Sequence, residues 1–446
     1  MYNKKQLDDI TNNLKNVVNE SMKIYLKNFK EPSLDEYEQV KKDILEFIKT
    51  NKLVVYGGFA QNKLIGMKNK EDQFYDEFSM ADVEVYSSNP ISDSMKLGNL
   101  LFEKKYKHVQ VKEGVHNETY KVFCNFENYA DISYIDEKIL NNMPIIEIEG
   151  IKITHPHFML VDAYRVYTDL LTSNFRLEKT LTRFNVLAKH YPFDLQKKYN
   201  VKLPVISEDI SSFIKKNIIH NSDFVVIGQH AFNYLAKKLV VVEEKNKIIL
   251  PDSYFELMCK NLREDSKKVI SLLKNKFKNV KYKRYNKFFQ FFDELIEVYI
   301  NNKLVLKLYG NNDRCIVYKY SEKKLTKYAT FQLLILYLLA NYMRSYVSKD
   351  KIGEENSMSM ITEIYKIRNR FFENNSLTIF DDSPFQEFTT DCIGVPLDQM
   401  RESFEQGAKK KEQGKRMKFM YNPTGKDLPV PTYIFKNHSG DEIKSS

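Results

Sequence analysis

The sequence is poor in the features that mark disordered, secreted and membrane-spanning chains. Only 14 of its 446 residues are glycine and 12 are proline, while 43% are hydrophobic, a balance typical of a globular protein. No run approaches the ~18 apolar residues that a membrane span needs, and the opening MYNKKQLDDI lacks the apolar segment of a secretion signal. The sequence therefore predicts neither membrane insertion nor secretion.

Cysteine is also scarce. The four cysteines, at 124, 259, 315 and 392, are far apart and form no C-x-x-C pair. This spacing indicates neither a zinc site nor a disulfide framework, so reduced thiols are expected.

Length and charge set two further limits. A chain of 446 residues is expected to form two or three domains. The 69 Lys and Arg exceed the 59 Asp and Glu, which gives a net charge of +10. This excess favours a polyanionic partner bound through its phosphates, although a merely soluble basic protein would fit it equally well.

The first part of the chain alternates between helical and strand-like patterns. Residues 5–50 predict two helices, the second opened by Ser33 as N-cap with Glu36 three residues on. LVVYGG at 53–58 predicts a buried strand and a glycine turn ahead of a helix. Further strand-like runs lead to a hairpin turn at Glu149-Gly150 and a helix over 157–172, and the pattern as a whole predicts an α+β fold.

A second stretch of the chain resembles the first. FVVIGQHAFN at 224–233 matches LVVYGGFAQN at 53–62, and DSYFELMCKN at 252–261 falls where MADVEVYSSN stands at 80–89. Two copies of one domain is the simplest account. The alternative is a chance similarity between two strand-turn-helix units, which are common.

Three carboxylates in the first copy are candidates for a metal site. Asp82 and Glu84 stand at i and i+2 of an alternating run, so they point to one face of a strand. Asp131 lies on a later strand and would complete the set, while Gly57-Gly58 ahead of a helix offers N–H groups to a triphosphate. Taken singly, each feature also has an ordinary explanation, a solvated strand face or a turn.

The second copy has lost most of this set. At the three acidic positions it carries, on the simplest alignment, Tyr254, Glu256 and Leu306. A single carboxylate would bind a divalent metal weakly. The second copy is therefore predicted to be a non-catalytic scaffold or a substrate-binding domain.

The order of these elements resembles the polymerase β-like nucleotidyltransferase superfamily, whose signature is a strand ending in GG or GS, a strand with D-h-D or D-h-E, and a later strand with one Asp. GIKITHPHFMLVDAYRVYTDL at 150–170 resembles the hairpin and helix that follow the third acid. FRLEKTLTRFNVLAKHY at 175–191 resembles the R-x-E-K-x-x-x-R helix of viral poly(A) polymerases. Over nearly its whole length the chain resembles the poly(A) polymerase catalytic subunits of mimivirus-like giant DNA viruses, which are similar in plan to the poxvirus enzyme.

The resemblance implies roles for particular residues. Two Mg²⁺ (or Mn²⁺) ions would be held by the catalytic acids Asp82, Glu84 and Asp131, and the triphosphate of ATP by Gly57, Gly58 and Lys179. The 24 positions between Gly58 and Asp82 exceed the usual spacing, so an insertion around 67–79 is expected to loop out. Glu84 stands where the superfamily often has Asp.

Two basic segments are candidates for RNA binding. Arg176, Lys179 and Arg183 share one helix face by their spacing of three and four residues, although a solvated face paired with Glu178 would look the same. The run KKKEQGKRMK at 409–418 is expected to seek a polyanion. Its basic residues are Lys409, Lys410, Lys411, Lys415, Arg416 and Lys418.

The predicted organisation has four parts. They are an N-terminal helical element at 1–50, a catalytic nucleotidyltransferase domain at 51–190, a degenerate nucleotidyltransferase-like domain at 191–350, and a helical and basic C-terminal extension at 351–446.

The resemblance implies template-independent polyadenylation of mRNA 3′ ends, in which AMP passes from ATP to an RNA 3′-OH by a two-metal mechanism and pyrophosphate leaves. It also implies a homodimer in the virion and host cytoplasm, at the viral factory. Two alternatives stay open: a nucleotidyltransferase of other base or acceptor choice, and a non-catalytic RNA-binding subunit.

Overall fold

The computed structural model describes most of the chain. The described residues are 2–76, 78–116, 118–194, 201–238, 249–288, 292–311, 315–321, 323, 325–395, 401, 405, 409, 419–425 and 443–444.

Helices flank two sheets in the described residues. The helices are α1 (Lys4–Asn28), α2 (Leu34–Thr50), α3 (Gly57–Lys68), α4 (Pro90–Glu103), α5 (Glu137–Asn142), α6 (Pro156–Thr168), α7 (Leu170–His190), α8 (Glu208–Ile214), α9 (Gly228–Lys237), α10 (Leu262–Lys276), α11 (Phe331–Ser348) and α12 (Lys351–Asn375).

The strands fall into two groups along the chain. The earlier ones are β1 (Val54–Tyr56), β2 (Val83–Ser87), β3 (Gln110–Glu113), β4 (Thr119–Cys124), β5 (Glu127–Tyr134), β6 (Ile145–Ile148) and β7 (Ile151–Thr154). The later ones are β8 (Val225–Ile227), β9 (Phe255–Cys259), β10 (Val280–Tyr285), β11 (Leu295–Ile300), β12 (Lys303–Gly310), β13 (Ile316–Tyr320), β14 (Lys327–Ala329), β15 (Cys392–Ile393), β16 (Met420–Tyr421) and β17 (Ile443–Lys444).

The chain forms two compact units. The first comprises 1–134, 147–153 and 416–430, and the second comprises 135–146, 154–415 and 431–446. Each unit contains one sheet with its own apolar core.

The two sheets share one strand order, and the second has β15 as an additional edge strand. The first sheet runs β16-β3-β4-β5-β2-β1-β7-β6, and the second, taken in the corresponding direction, runs β17-β10-β11-β12-β9-β8-β14-β13-β15. Strand directions agree as well, since β1–β2 and β8–β9 are antiparallel while β2–β5 and β9–β12 are parallel. The α+β fold and the predicted duplication are therefore confirmed.

The local predictions in the first copy are largely confirmed. The Ser33 hydroxyl accepts a bond from the Glu36 backbone N–H (3.2 Å) at the start of α2, and Val40 and Ile44 are buried on its inner face. The hairpin turn at Glu149-Gly150 joins β6 to β7 with both residues at positive φ. The helix expected over 157–172 is instead two helices, because the backbone breaks at Asp169 between α6 and α7.

One expectation about cysteine is wrong. Cys315 and Cys392 form a disulfide across a sequence separation of 77 residues, whereas Cys124 and Cys259 are buried thiols. The bond forms because β13 and β15 are antiparallel neighbours, with Val317 opposite Cys392 and Ile316 opposite Ile393. The spacing of cysteines along the sequence does not show that these two strands pair, which is why it indicated four free thiols.

Alternating side chains build the core beneath each sheet. In the first unit, Val55, Val83, Val85 and Ile132 are at most 1% exposed and lie on the face opposite the polar residues of the same strands. No helix among the described residues is both long enough and apolar enough to cross a membrane.

Candidate active site

Strand pairing brings the three predicted acids to one face of the first sheet. β2 and β5 are parallel neighbours with Glu84 opposite Asp131, and Asp82 lies two residues before Glu84, just ahead of β2. Side chains two residues apart share a face, and directly paired residues lie side by side. Asp82, Glu84 and Asp131 therefore form one acidic cluster, as their sequence pattern predicted.

Two residues that the sequence did not single out hold this cluster. The side-chain amide of Asn128 donates to Asp82 Oδ2 (3.0 Å) and to Asp131 Oδ1 (2.9 Å). The Lys121 ammonium donates to both oxygens of Asp131, at 2.8 and 2.5 Å, from the neighbouring strand β4. Asp82 and Asp131 are thus linked through one nitrogen, and Asp131 is paired with a cation.

A β-bulge explains the place of Asn128. Residues three apart on a regular strand point to opposite faces, so alternation alone would separate Asn128 from Asp131. Val122 pairs with Ala130 but Phe123 pairs with Asn128, which leaves Tyr129 as an extra residue on β5. The extra residue turns Asn128 to the acidic face. Only the hairpin pairing of β4 with β5 could have revealed Lys121 and Asn128.

The glycine turn closes the site from the side of β1. Gly57 has φ +71°, and a Cβ there would lie 1.7 Å from Glu84 Oε2. The Gly58 backbone N–H, in the first turn of α3, donates to the same oxygen (2.6 Å). Glycine is required at Gly57 by both the backbone conformation and the approach of Glu84.

The chemistry of the donor set suits a hard divalent cation. Three carboxylates converge, and carboxylate oxygens are the ligands that Mg²⁺ prefers. Asn128 Oδ1, on the side-chain amide whose nitrogen bonds Asp82 and Asp131, is buried and has no hydrogen-bond partner among the described residues, so an oxygen-seeking ion within its reach would also satisfy this atom. Among the described residues, no group of three or more His, Cys, Asp or Glu side chains is arranged to hold a metal ion. The carboxylates of Asp82, Glu84 and Asp131 are bonded instead to Asn128, Gly58 and Lys121.

The predicted basic residues lie in the second unit or outside the described residues. Arg176, Lys179 and Arg183 all lie on α7, where Lys179 is exposed and the two arginines are partly buried. Lys409 is described and exposed. The other members of the basic run, Lys410, Lys411, Lys415, Arg416 and Lys418, lie outside the described residues. The roles of all these residues in binding nucleotide or RNA stay predictions.

His155 and His157, which flank Pro156, have a structural role. The His155 imidazole Nδ1 accepts a bond from the His157 backbone N–H (3.2 Å) and so caps α6. Burial, and then the nearby His157, lower the pKa of His155 to about 4. The neutral imidazole that capping needs is therefore the stable form, and His155 caps α6.

The duplicated sheet, the acidic cluster on one face and the glycine turn define a polymerase β-like nucleotidyltransferase with a second, altered copy. Comparison with known proteins identifies the family within this class. A family model described as "Poly(A) polymerase catalytic subunit" matches residues 42–173, and one described as "APMV, Putative poly(A) polymerase, catalytic subunit, C-terminal" matches residues 185–446. The chain belongs to the family of poly(A) polymerase catalytic subunits, which are polynucleotide adenylyltransferases.

Individual relatives agree with this assignment. A protein of Acanthamoeba polyphaga mimivirus, named "Putative poly(A) polymerase catalytic subunit", is 29% identical over 93% of this chain and 78% of its own. The African swine fever virus protein of the same name is 26% identical over 52% of this chain and 49% of its own. The structure titled "Crystal structure of the Megavirus polyadenylate synthase" matches with a TM-score of 0.89 and 28% identity, over 99% of this chain and 92% of that one.

Proposed function

We propose that this chain adds adenylates to mRNA 3′ ends without a template, transferring AMP from ATP to the RNA 3′-OH with release of pyrophosphate. The observation that carries the proposal is the cluster of Asp82, Glu84 and Asp131 on one sheet face beside the Gly57-Gly58 turn. Family membership supports the choice of ATP and RNA as substrates.

Asp82, Glu84 and Asp131 would hold the divalent ions of this reaction. Bound there, two such ions would supply activation of the attacking hydroxyl and stabilisation of the leaving pyrophosphate. Asn128 fixes the distance between two of the carboxylates through its paired hydrogen bonds. Lys121 pairs with Asp131 and balances its negative charge. The Gly58 backbone N–H donates to Glu84 Oε2, and it would become available to a phosphate at the start of α3 once Glu84 turned to a metal ion.

Primer extension tests the assignment of the acids. We expect Asp82→Asn and Asp131→Asn each to lower the tailing rate at least about 100-fold, since even outer partners of a metal ligand are worth 10–100-fold. The matched control is Glu256→Gln, which changes the second-copy carboxylate that corresponds to Glu84 and should leave the rate unchanged. Near-normal extension by either aspartate variant, folded and with Mg²⁺ present, would remove that residue from the site.

The same assay separates the rival functions. A labelled RNA primer is incubated with wild-type protein and each NTP in turn, and ATP is expected to support extension in strong preference to the others. Equal use of UTP would favour a different base choice. No extension with any NTP would favour a non-catalytic RNA-binding subunit.

The homodimer and the site of action are part of the proposal. No residue of α1 is buried, and Leu7, Ile10, Leu14 and Val17 are at least 40% exposed with the 3-4-3 spacing of a helix–helix seam. This stripe supports self-association of two copies through α1. The resemblance to viral enzymes supports action in the virion and host cytoplasm, which localisation of a tagged chain in infected cells would test.

A further inference from the structure

The second copy has an ion pair at the place of the Lys121–Asp131 pair, with the cation and the carboxylate exchanged between the two strands. Glu84 pairs with Asp131 across β2 and β5, and the corresponding pair across β9 and β12 is Glu256 with Lys307. The residue that corresponds to Asp131 is therefore Lys307. The sequence alignment, which placed Leu306 opposite Asp131, is wrong by one residue.

The neighbouring strand is reversed in the same way. Lys121 on β4 stands opposite Asp131, whereas Glu297 on β11 stands opposite Lys307. Each copy therefore has a cation–carboxylate pair between these two strands. The cation is on β4 in the first copy, whereas in the second copy it is on β12, the strand that corresponds to β5. The register shift next to it is kept too, with Val305 as the extra residue of β12.

Lys307 lies among groups that favour a cation. Its side chain is 17% exposed, its Nζ is 3.6 Å from Glu297 Oε1, and it lies over the ring of Tyr254 at 4.9 Å. Tyr254 corresponds to Asp82, so an aromatic face replaces that carboxylate. Burial lowers the pKa of Lys307, but Tyr254, Tyr309, Glu256 and Glu297 together raise it well above its usual value.

Other protein atoms fill the rest of the altered site. Glu256 is 3% exposed and accepts bonds at Oε1 from the Tyr309 hydroxyl (2.8 Å) and the Asn341 amide (3.1 Å). Gln229, which corresponds to Gly58, is 4% exposed, and its amide donates to the backbone carbonyl of Pro251. The glycine pair of the first copy is thus replaced in the second by a glycine and a buried side chain.

We propose that the Lys307 ammonium takes the place, in the second copy, of the divalent ion that the acids of the first copy would hold. The site then stabilises the domain and binds neither a metal ion nor a nucleoside triphosphate. Lys307 supplies the positive charge that Glu256 and Glu297 need in a buried setting. The inference stands on the register and contacts of the second copy and does not depend on the roles proposed for Asp82 and Asp131.

Thermal unfolding tests the stabilising role. Lys307→Met leaves Glu297 without its ion-pair partner and removes the positive charge next to Glu256. Removing one partner of a buried ion pair is strongly destabilising, so we expect Tm to fall by at least about 5 °C. Lys303→Met, on the exposed start of the same strand, is the matched control and should change Tm little. Adding Glu297→Gln to Lys307→Met should restore part of the lost Tm. Equal Tm values for Lys307→Met and Lys303→Met would overturn the proposal.

Manganese binding tests whether the second copy takes a metal ion, on a protein that retains Lys307. The Asp82→Asn/Asp131→Asn chain, which lacks two acids of the first copy, is titrated with Mn²⁺ and followed by electron paramagnetic resonance. We expect the Mn²⁺ binding to be identical with and without Glu256→Gln. A bound ion that is lost on Glu256→Gln would show a metal site in the second copy and contradict the substitution by Lys307.

Discussion

Gly57 and Gly228 occupy equivalent turns in the two copies, with φ of +71° and +61°. At each of them a Cβ would overlap the carboxylate of the glutamate that both copies share, 1.7 Å from Glu84 Oε2 and 1.8 Å from Glu256 Oε2. The same local geometry thus persists where the chemistry has changed. A residue can be retained in the second copy because the turn needs it, not because a substrate does.

Replacing each of these two glycines by alanine should separate the requirement of the turn from the requirement of catalysis. We expect Gly57→Ala and Gly228→Ala each to cost about 1–3 kcal/mol, the scale of a residue forced into a sparsely populated conformation. Gly57→Ala should also lower tailing at least about 10-fold, because Glu84 must leave Gly58, whereas Gly228→Ala should keep the rate. Calorimetry and primer extension measure the two effects.

Gly425→Ala is the control for this pair. Its Cβ would meet no atom of the described residues closer than 3.4 Å, and it does not have a positive φ. A Gly57→Ala protein as stable and active as Gly425→Ala would mean that the turn relaxes without cost.

At the scale of elements, α6 begins at a histidine cap whose strength depends on pH. The pKa of His155 is about 4 in the folded chain, below the usual 6.5, because of burial and then His157. Protonation is thus easier in the unfolded chain. The stability that the neutral cap contributes is fully present above pH 6.5 and is lost as the pH falls toward 4.

His155→Asn keeps a capping acceptor but removes the titration. We expect the fall in Tm between pH 7.5 and pH 5 to be smaller in this variant than in wild type by roughly 1–3 °C, allowing for the partial exposure of His155. His230 is common to both proteins, and its lowered pKa contributes equally to both. Parallel Tm curves across this range would contradict a titrating cap.

At the scale of the whole molecule, the net charge of +10 should govern the encounter with RNA. Neutralising Lys409, Lys410, Lys411, Lys415, Arg416 and Lys418 should weaken binding equally for unrelated RNA sequences. The salt dependence of log K should flatten by up to about 0.7 per lost phosphate contact. An unchanged salt slope, together with an unchanged tail-length distribution, would mean that this run is not part of the RNA path.

Self-association is the other prediction at this scale. Light scattering after size exclusion should give twice the chain mass of 52.8 kDa for wild type. Leu14→Glu/Val17→Glu, on the apolar stripe of α1, should shift the protein to monomer. Asn12→Glu/Asn16→Glu adds the same charge off that stripe and should stay dimeric. A wild-type monomer, or a dimer that survives the Leu14 and Val17 changes, would exclude α1 as the interface.

The sequence by itself determined the parts that depend on local pattern. Alternation placed Asp82 and Glu84 on one face, the Gly57-Gly58 pair predicted the turn, and the repeated LVVYGG-like segment predicted two copies. These conclusions hold because side-chain direction and turn conformation follow from a few neighbouring residues.

Only the tertiary structure decided which distant residues meet. A shift of one residue in strand pairing exchanges the two faces of a strand, so aligning Leu306 instead of Lys307 concealed the buried cation of the second copy. The bulge at Tyr129 turned Asn128 toward Asp131, against simple alternation. The disulfide of Cys315 likewise arose from the pairing of β13 with β15. Such pairings depend on hydrogen bonds between segments far apart in the chain, which no local pattern specifies.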